Sequence, residues 1–266
     1  MKNKTEITVI LPVHELDDST RPLFANAIKS VEEQIVLPDT LLIVVPKGSK
    51  VSKELNKFDY GKIKDIVKVV ENDGETDFAS QVNFGVDKAE SVWVSILELD
   101  DEYAKIWFKN VVTYIAAYDE VDIFMPIIVD VNSEQGFIGL TNEAVWAKNF
   151  SEEQGWLDNG ALMVYQNFNI DGVVMKKSLF EDFGGLKSSI KLTFVYEFLL
   201  RMTFKDSKVF VIPRFGYKHV NQRVGSLFHN YRAELDPTEA KWWLSQAKKE
   251  MYFDNDRVIK YDAELN

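Results

Sequence analysis

The chain reads as an α/β protein built on a mainly parallel sheet flanked by helices, and three observations carry that reading. Ile7–Leu11 and Leu41–Val45 are unbroken apolar runs rich in β-branched residues, as strands buried on both faces require. Stretches of helical spacing separate such runs, so strands and helices alternate along the first half. Proline, glycine and acidic residues gather just past the strands' carboxyl ends, where ligands of open α/β sheets collect.

Ile7–Leu11 form the first strand, and Pro12 stops it ahead of a Val13-His14-Glu15 loop. Ser19 or Thr20 can cap the next helix, with Pro22 in its first turn and Leu23, Ala27, Ile28 and Val31 setting its spacing through about Gln34. Leu41–Val45 form a second strand that ends at Pro46-Lys47-Gly48-Ser49. Ile66–Val70 reads as a third strand, and Phe78–Ala89 as a helix with Val82, Val86 and Ala89 on one face. That helix leads into Ser91–Tyr103, SVWVSILELDDEY, a buried strand running into Glu98, Asp100, Asp101 and Glu102. Lys105–Tyr118 is predicted helical and Val121–Val129 extended, with Pro126 at an edge or bulge.

From Asp130 to about Asn169 the periodicity fades, and an insertion or mobile substrate-side region is expected. Met175–Phe183 reads as a helix stopped by Gly184-Gly185. Phe194–Phe204 follows as an apolar helix and Val209–Ile212 as a short strand. A last helix opens at Asp236-Pro237-Thr238-Glu239, whose spacing resembles a capping box. The expected organisation is one domain over 1–230, in halves of about 1–104 and 105–230, with a C-terminal helical extension over 231–266.

Composition narrows the function. With 31 basic and 42 acidic residues the net charge is −11, which argues against a general binder of nucleic acid or anionic membrane. The absence of cysteine removes thiol nucleophiles, disulfide frameworks and cysteine zinc sites. No apolar run reaches membrane-spanning length and the amino terminus lacks a signal-peptide core, so a cytoplasmic protein is expected. If Glu98 to Asp100 stays extended, both side chains project to one side and repel unless a cation lies between them. A hard divalent ion would supply that charge and hold a substrate phosphate. A strand followed by a solvated acidic turn accounts for the same residues.

The order of these pieces resembles the family 2 glycosyltransferases, which have the GT-A fold with a Rossmann-like sheet, over roughly residues 5–230. ITVILPVHE is similar to that family's first strand and its Pro-x-Tyr-Asn loop beside the donor base, which implies Pro12, Val13, His14 and Glu15 as donor contacts. Asn83-x-Gly85 resembles the Arg-Asn-x-Gly helix, with Val82 where Arg is usual. ILELDDEY resembles the Asp-x-Asp motif, with Glu98 in place of the first acid and Asp100 and Asp101 retained. Phe183-Gly184-Gly185-Leu186 resembles the acceptor-side Gly-Gly-Phe turn. Tyr217-Lys218-His219 with Gly225-Ser226 resembles the basic segment that holds the diphosphate and completes the metal shell.

Two departures stand out. Pro46-Lys47-Gly48-Ser49 replaces the family's Asp-Asp-Gly-Ser, removing an acid that helps recognise the base and leaving a uridine donor in question. Counting back from Arg201, Phe194-Val195 stands where a Glu-Asp pair carries the inverting base.

The resemblance implies a metal-dependent transferase that moves a sugar from a nucleotide-diphospho-sugar to a hydroxyl of an unknown glycan or other acceptor, with inversion. Under it, Asp100 is a direct ligand of Mn²⁺ or Mg²⁺ and His219 a distant one. Asn83 and Glu98 contact the donor, Lys218, Arg223 and Ser226 hold the diphosphate, and Glu197 or Asp101 is the base. Plainer roles compete: Glu197 suits an i,i+4 ion pair with Arg201, and His219 and Lys218 suit a solvated surface. Trp146 and Trp156 suit stacking on a sugar or local packing. Trp242-Trp243 suit docking of the last helix on the domain or on a second subunit, the route to a homo-oligomer.

Two other functions compete with transfer. A sugar-phosphate nucleotidylyltransferase shares the sheet, but its glycine-rich phosphate loop is absent from PVHELDD. A degenerate domain that binds nucleotide-sugar or glycan without turnover fits the two departures.

Overall fold

The computed structural model describes residues 5–147, 155–221, 223–234, 241, 242 and 245. Among them, β1 (Ile7–Pro12), β2 (Thr40–Pro46), β3 (Val67–Asn72) and β4 (Trp93–Ile96) run parallel in the order β3-β2-β1-β4. The chain steps outward from β1 to β3, then returns through α3 (Phe78–Lys88) to lay β4 on the other side of β1. This reversal makes a switch point, with the segments after Pro12 and after Ile96 leaving the sheet side by side.

Beyond β4 the sheet becomes mixed. β9 (Val174–Lys176) is antiparallel to both β4 and β6 (Ile123–Val131), and β10 (Val209–Val220) runs parallel to β6. β5 (Glu102–Tyr103) closes that edge, antiparallel to β10. The architecture is the mixed, mainly parallel α/β sheet that the sequence predicts.

Strand alternation sorts the core into two layers. Ile7, Val9 and Leu11 pack with Phe24, Ile28 and Val31 of α1 (Arg21–Glu32) and with Phe108 and Val111 of α4 (Trp107–Ala117). Ile10 and Val44 pack on the opposite face with Val82 and Val86 of α3, in a layer that extends to α6 (Asn159–Val164) and α8 (Phe194–Phe204). Each such side chain, once buried, stabilises the fold by about 1.5–3 kcal/mol. Gly85 lets α3 lie close on the sheet, since a Cβ there would sit 2.5 Å from Ile10 Cγ2.

Several expectations change. Met175–Phe183 is not one helix: β9 comes first and α7 (Ser178–Phe183) follows, because Val174 and Met175 fill a fully buried slot between β4 and β6. The last strand runs on past Ile212 to Val220, with register shifts around Phe215. The stretch after Asp130 is structured where described. β7 (Phe137–Thr141) folds back on β6, β8 (Trp156–Leu157) pairs with β10, and Asp158 caps α6 by accepting from Ala161 N–H at 2.8 Å. Trp146 and Trp156 stand edge-on to Phe210, and the Trp146 indole donates to Val211 O at 3.0 Å, so both pack locally.

At α1, Thr20 occupies the cap position, yet the Asp17 carboxylate receives the Ser19 and Thr20 N–H groups. The capping box at Asp236–Glu239 and Trp243 lie outside the described residues, while Trp242 is about half exposed. Among the described residues no helix is long and apolar enough to cross a membrane.

Candidate active site

The acidic strand does not stay extended. β4 ends at Ile96, Leu99 and Asp100 make a turn, and Asp101 N–H donates to Glu98 O at 3.3 Å. The turn breaks the alternation that would pair Glu98 with Asp100 and groups Glu98 with Asp101 instead. Asp171 joins them from the turn before β9. There Gly172, at φ +69°, donates its N–H to Ile96 O at 3.0 Å and accepts from the Trp107 indole at 2.8 Å. A Cβ on Gly172 would strike the Tyr217 ring, so only glycine lets this turn sit against β10.

His219 completes the group from β10. Tyr217 and His219 face the site, and the Tyr217 hydroxyl accepts Glu98 N–H at 3.0 Å. Lys218, one residue between them, faces away and pairs with Glu102 at 2.5 Å and Gln135 at 2.8 Å. One ligand atom from each of Glu98, Asp101, Asp171 and His219 lies within 4.8 Å of the others. His219 Nδ1 is 3.0 Å from Asp101 Oδ2 and 3.6 Å from Asp171 Oδ2, and Val220 N–H donates to Asp101 Oδ1 at 2.8 Å. The Asn169 amide donates to Asp171.

Electrostatics make this a strained set of charges. Burial alone would lower the His219 pKa, but the charge and hydrogen bond of Asp101, then Asp171 and Glu98, push it up to about 11. Burial raises Asp171 to about 6, while His219 pulls it down and Asp101 pushes it up. Burial, then Asp171 and Asp101, hold Glu98 well above the usual carboxylate range. Three carboxylates against one imidazole leave surplus negative charge in a buried place. An oxygen-rich donor set of this kind fits a hard divalent cation, so the four residues could hold Mn²⁺ or Mg²⁺. With Asp101 on Nδ1, His219 would keep Nε2 for such an ion.

A cavity of about 430 Å³ opens over the cluster. Pro12, His14, Glu15, Glu98, Asp100, His219, Arg223 and Ser226 all line it, so residues expected from widely separated stretches share one site. Asp100 stands outside the four-residue group and accepts from Arg223 Nε at 2.6 Å. Burial and Asp101 raise its pKa, against the pull of Arg223. His14 Nε2 is buried without a hydrogen-bond partner, and burial lowers its pKa despite Asp77. Ser226 Oγ accepts His229 N–H at 3.1 Å in the first turn of α9 (Leu227–Glu234).

Other expected residues lie away from the lining. Val13 is buried and donates its N–H to Val44 O at 2.8 Å. Asp101 is fully buried behind the lining residues. Asn83 holds the Gly-Gly-Leu turn, exchanging two hydrogen bonds of 2.8 Å with the Leu186 backbone. Glu197 is also fully buried and accepts from Arg201 Nε at 2.8 Å and Nη2 at 3.1 Å, with Lys187 at 3.1 Å. Arg201 in turn donates to the carbonyls of Phe183, Gly184 and Gly185. The ion pair, the plainer of the two roles for Glu197, is therefore formed, while Phe194 and Val195 of the same helix line the cavity.

Residues 8–178, well over half of the chain, match the sequence profile described as Glycosyl transferase family 2. The chain belongs to that family. No curated protein matches it. S. aureus TarS 1-349 in complex with UDP-GlcNAc is similar at TM-score 0.65 and 15% identity, over 88% of this chain and 63% of that one. The mannosyltransferase PcManGT from Pyrobaculum calidifontis, in complex with GDP-Man and Mn²⁺, is similar at TM-score 0.62 and 15% identity, over 85% and 59%. At such identities the likeness is one of fold, GT-A, and this family 2 chain spans less than two thirds of either structure.

Sequence reading missed two acids of this family 2 site. Asp171 follows a polar stretch with no strand signal, and its one local mark is the Asp171-Gly172 pair, a turn signature. Asp130 lines the cavity from the end of β6, where it accepts from the Thr141 hydroxyl at 2.7 Å. It opens the stretch expected to be an insertion because β7, the strand that packs it in place, sets Phe137 beside Ile138 and then Gly139, without the alternation of a half-buried strand.

Proposed function

We propose that this glycosyl transferase family 2 domain moves a sugar from a nucleotide-diphospho-sugar to an acceptor hydroxyl by a single, inverting displacement. The observation that carries the proposal is the convergence of Glu98, Asp171, His219 and Arg223 on one cavity at the switch point of the sheet. The GT-A likeness to TarS bound to UDP-GlcNAc and to PcManGT bound to GDP-Man and Mn²⁺ supports the donor class.

The acceptor oxygen bonds to the anomeric carbon as the bond from that carbon to the diphosphate breaks. The nucleoside diphosphate leaves with the electron pair, and the hydroxyl proton passes to a carboxylate. A divalent cation held by Glu98, Asp101, Asp171 and His219 would neutralise the departing diphosphate. Arg223 adds a second positive charge if it exchanges Asp100 for a diphosphate oxygen, as a guanidinium is suited to do. The loop of Pro12, His14 and Glu15 lies at the donor end, where the unpartnered His14 Nε2 awaits a hydrogen bond.

Glu197 and Asp101 are the bases that the family resemblance offers, but Arg201 and Lys187 hold Glu197, and Asp101 is taken up by His219 and the metal-holding group. We assign the proton to Asp130, a cavity carboxylate outside the four-residue cluster and the Asp100–Arg223 pair. Burial raises its pKa, against Thr141 and His219, and a carboxylate base contributes roughly 10²–10⁴ in rate.

Phe194 and Val195 favour a second reading, since they put apolar side chains where the family places its base. That reading is a domain that binds the nucleotide-sugar without turning it over. A thermal-shift screen of UDP, GDP, CDP, ADP and dTDP, each with Mn²⁺ and with chelator, tests the donor site. A rise in midpoint for one nucleotide, only with metal, is expected, and no rise for any nucleotide overturns the proposal. A metal-dependent rise without hydrolysis or transfer of the matching nucleotide-sugar leaves the binder.

A further inference from the structure

The cavity has two walls of opposite chemistry. One presents Glu98, Asp171 and His219, while the other is built from Phe78, Leu192, Phe194, Val195, Leu227 and Phe228. Three aromatic rings from three helices form the centre of that second wall. Phe78 is the first residue of α3, Phe194 the first of α8, and Phe228 lies in the first turn of α9. Phe194 and Phe228 are 5.9 Å apart at 18°, and Phe78 meets Phe228 at 5.2 Å and Phe194 at 5.9 Å. Phe78 and Phe194 are almost fully buried, whereas Phe228 keeps part of its surface open.

We infer that the acceptor carries an apolar group beside its reacting hydroxyl, an aryl or alkyl aglycone, and that the Phe78–Phe194–Phe228 wall is its subsite. This rests on the transfer reading above, which places the charged donor against the carboxylates and leaves the apolar wall for the acceptor. The six residues of that wall bring no polar side chain, so hydroxyls pressed against it would lose water without gaining a partner. An apolar group gains there by burial, and it keeps water away from the anomeric carbon. The wall belongs to the same cavity as the acids, so one molecule can touch both without any movement of the chain.

The test uses the full chain with Mn²⁺ and the nucleotide that shifts its melting point, and compares methyl and phenyl β-glucosides by calorimetry. The phenyl glucoside binds about tenfold tighter if the wall is an aglycone subsite. Phe228→Gln, chosen because this ring is the least buried of the three, then brings the two glucosides to equal affinity and leaves the nucleotide shift intact. Equal affinities in the unsubstituted protein, or binding of neither glucoside while the nucleotide shift persists, overturn the inference alone. An absent nucleotide shift overturns the transfer reading and this inference with it.

Discussion

Arg223 Nε donates a 2.6 Å hydrogen bond to Asp100 Oδ2, so the cation expected for the diphosphate and the acid expected for the metal satisfy each other. Both side chains are largely buried, at 20% and 9% exposure. A diphosphate must therefore compete with Asp100 for the guanidinium. Arg223→Ala should weaken binding of the preferred nucleoside diphosphate by about tenfold or more, a charge-assisted contact being lost. Calorimetry in Mn²⁺ measures it, and unchanged affinity would remove Arg223 from the donor site.

Metal affinity separates the two groups of acids. Asp171→Asn should reduce Mn²⁺ affinity by about tenfold or more, and Asp100→Asn by less, because Asp171 belongs to the close group with Glu98, Asp101 and His219. Direct Mn²⁺ titration of both variants decides it. A larger loss for Asp100→Asn would return the metal to the strand-end motif as the sequence states it.

Asp130→Asn should lower kcat by roughly 10²–10⁴ and leave KM for the nucleotide-sugar nearly unchanged, if Asp130 takes the acceptor's proton. Steady-state kinetics at saturating acceptor provide the comparison. A rate within severalfold of the parent would exclude Asp130 as base.

The Glu197–Arg201 pair predicts a stability effect. Arg201→Leu leaves the buried Glu197 to Lys187 and frees the carbonyls of Phe183, Gly184 and Gly185, so unfolding in urea should show a loss of about 3 kcal/mol. A loss below about 1 kcal/mol would mean that the turn does not depend on this clamp.

Acid stability should report on Asp17. Hydrogen bonds from the Ser19 hydroxyl, Thr20 N–H, Thr20 hydroxyl and Ser19 N–H hold its carboxyl down to about 2 from 3.8. A depressed folded-state pKa contributes stability that is present above the unfolded value and lost as pH falls through the folded one. The difference in urea midpoint between the parent and Asp17→Asn should hold steady above roughly pH 5 and shrink as pH falls toward 2. A difference independent of pH would assign the loop to geometry alone.

The parallel half of the fold was legible because Ile7–Leu11 and Leu41–Val45 are buried on both faces and declare it locally. β9 was not, since Val174–Lys176 is a strand only because β4 and β6 leave a slot for it. The site shows the same division. Pro12, His14, Glu15, Asp100 and His219 follow strand ends or a family motif, and the cavity gathers them. Asp171 is delivered by Gly172 packing on Tyr217, a contact between distant residues that no local pattern encodes. Glu98 and Asp101 are recognisable in sequence as acids at one strand end, but their grouping depends on a turn at Leu99-Asp100 that alternation would not produce.

β5 belongs to the first half of the sequence, yet it pairs with β10 of the second, and Tyr217 from that strand holds the Glu98 N–H. The boundary expected near residue 104 thus runs through the middle of the site. A chimera with its crossover there would inherit Asp101 and Asp100 from one parent and the histidine and arginine that pair with them from the other. Such recombinants should fail unless both parents share those contacts.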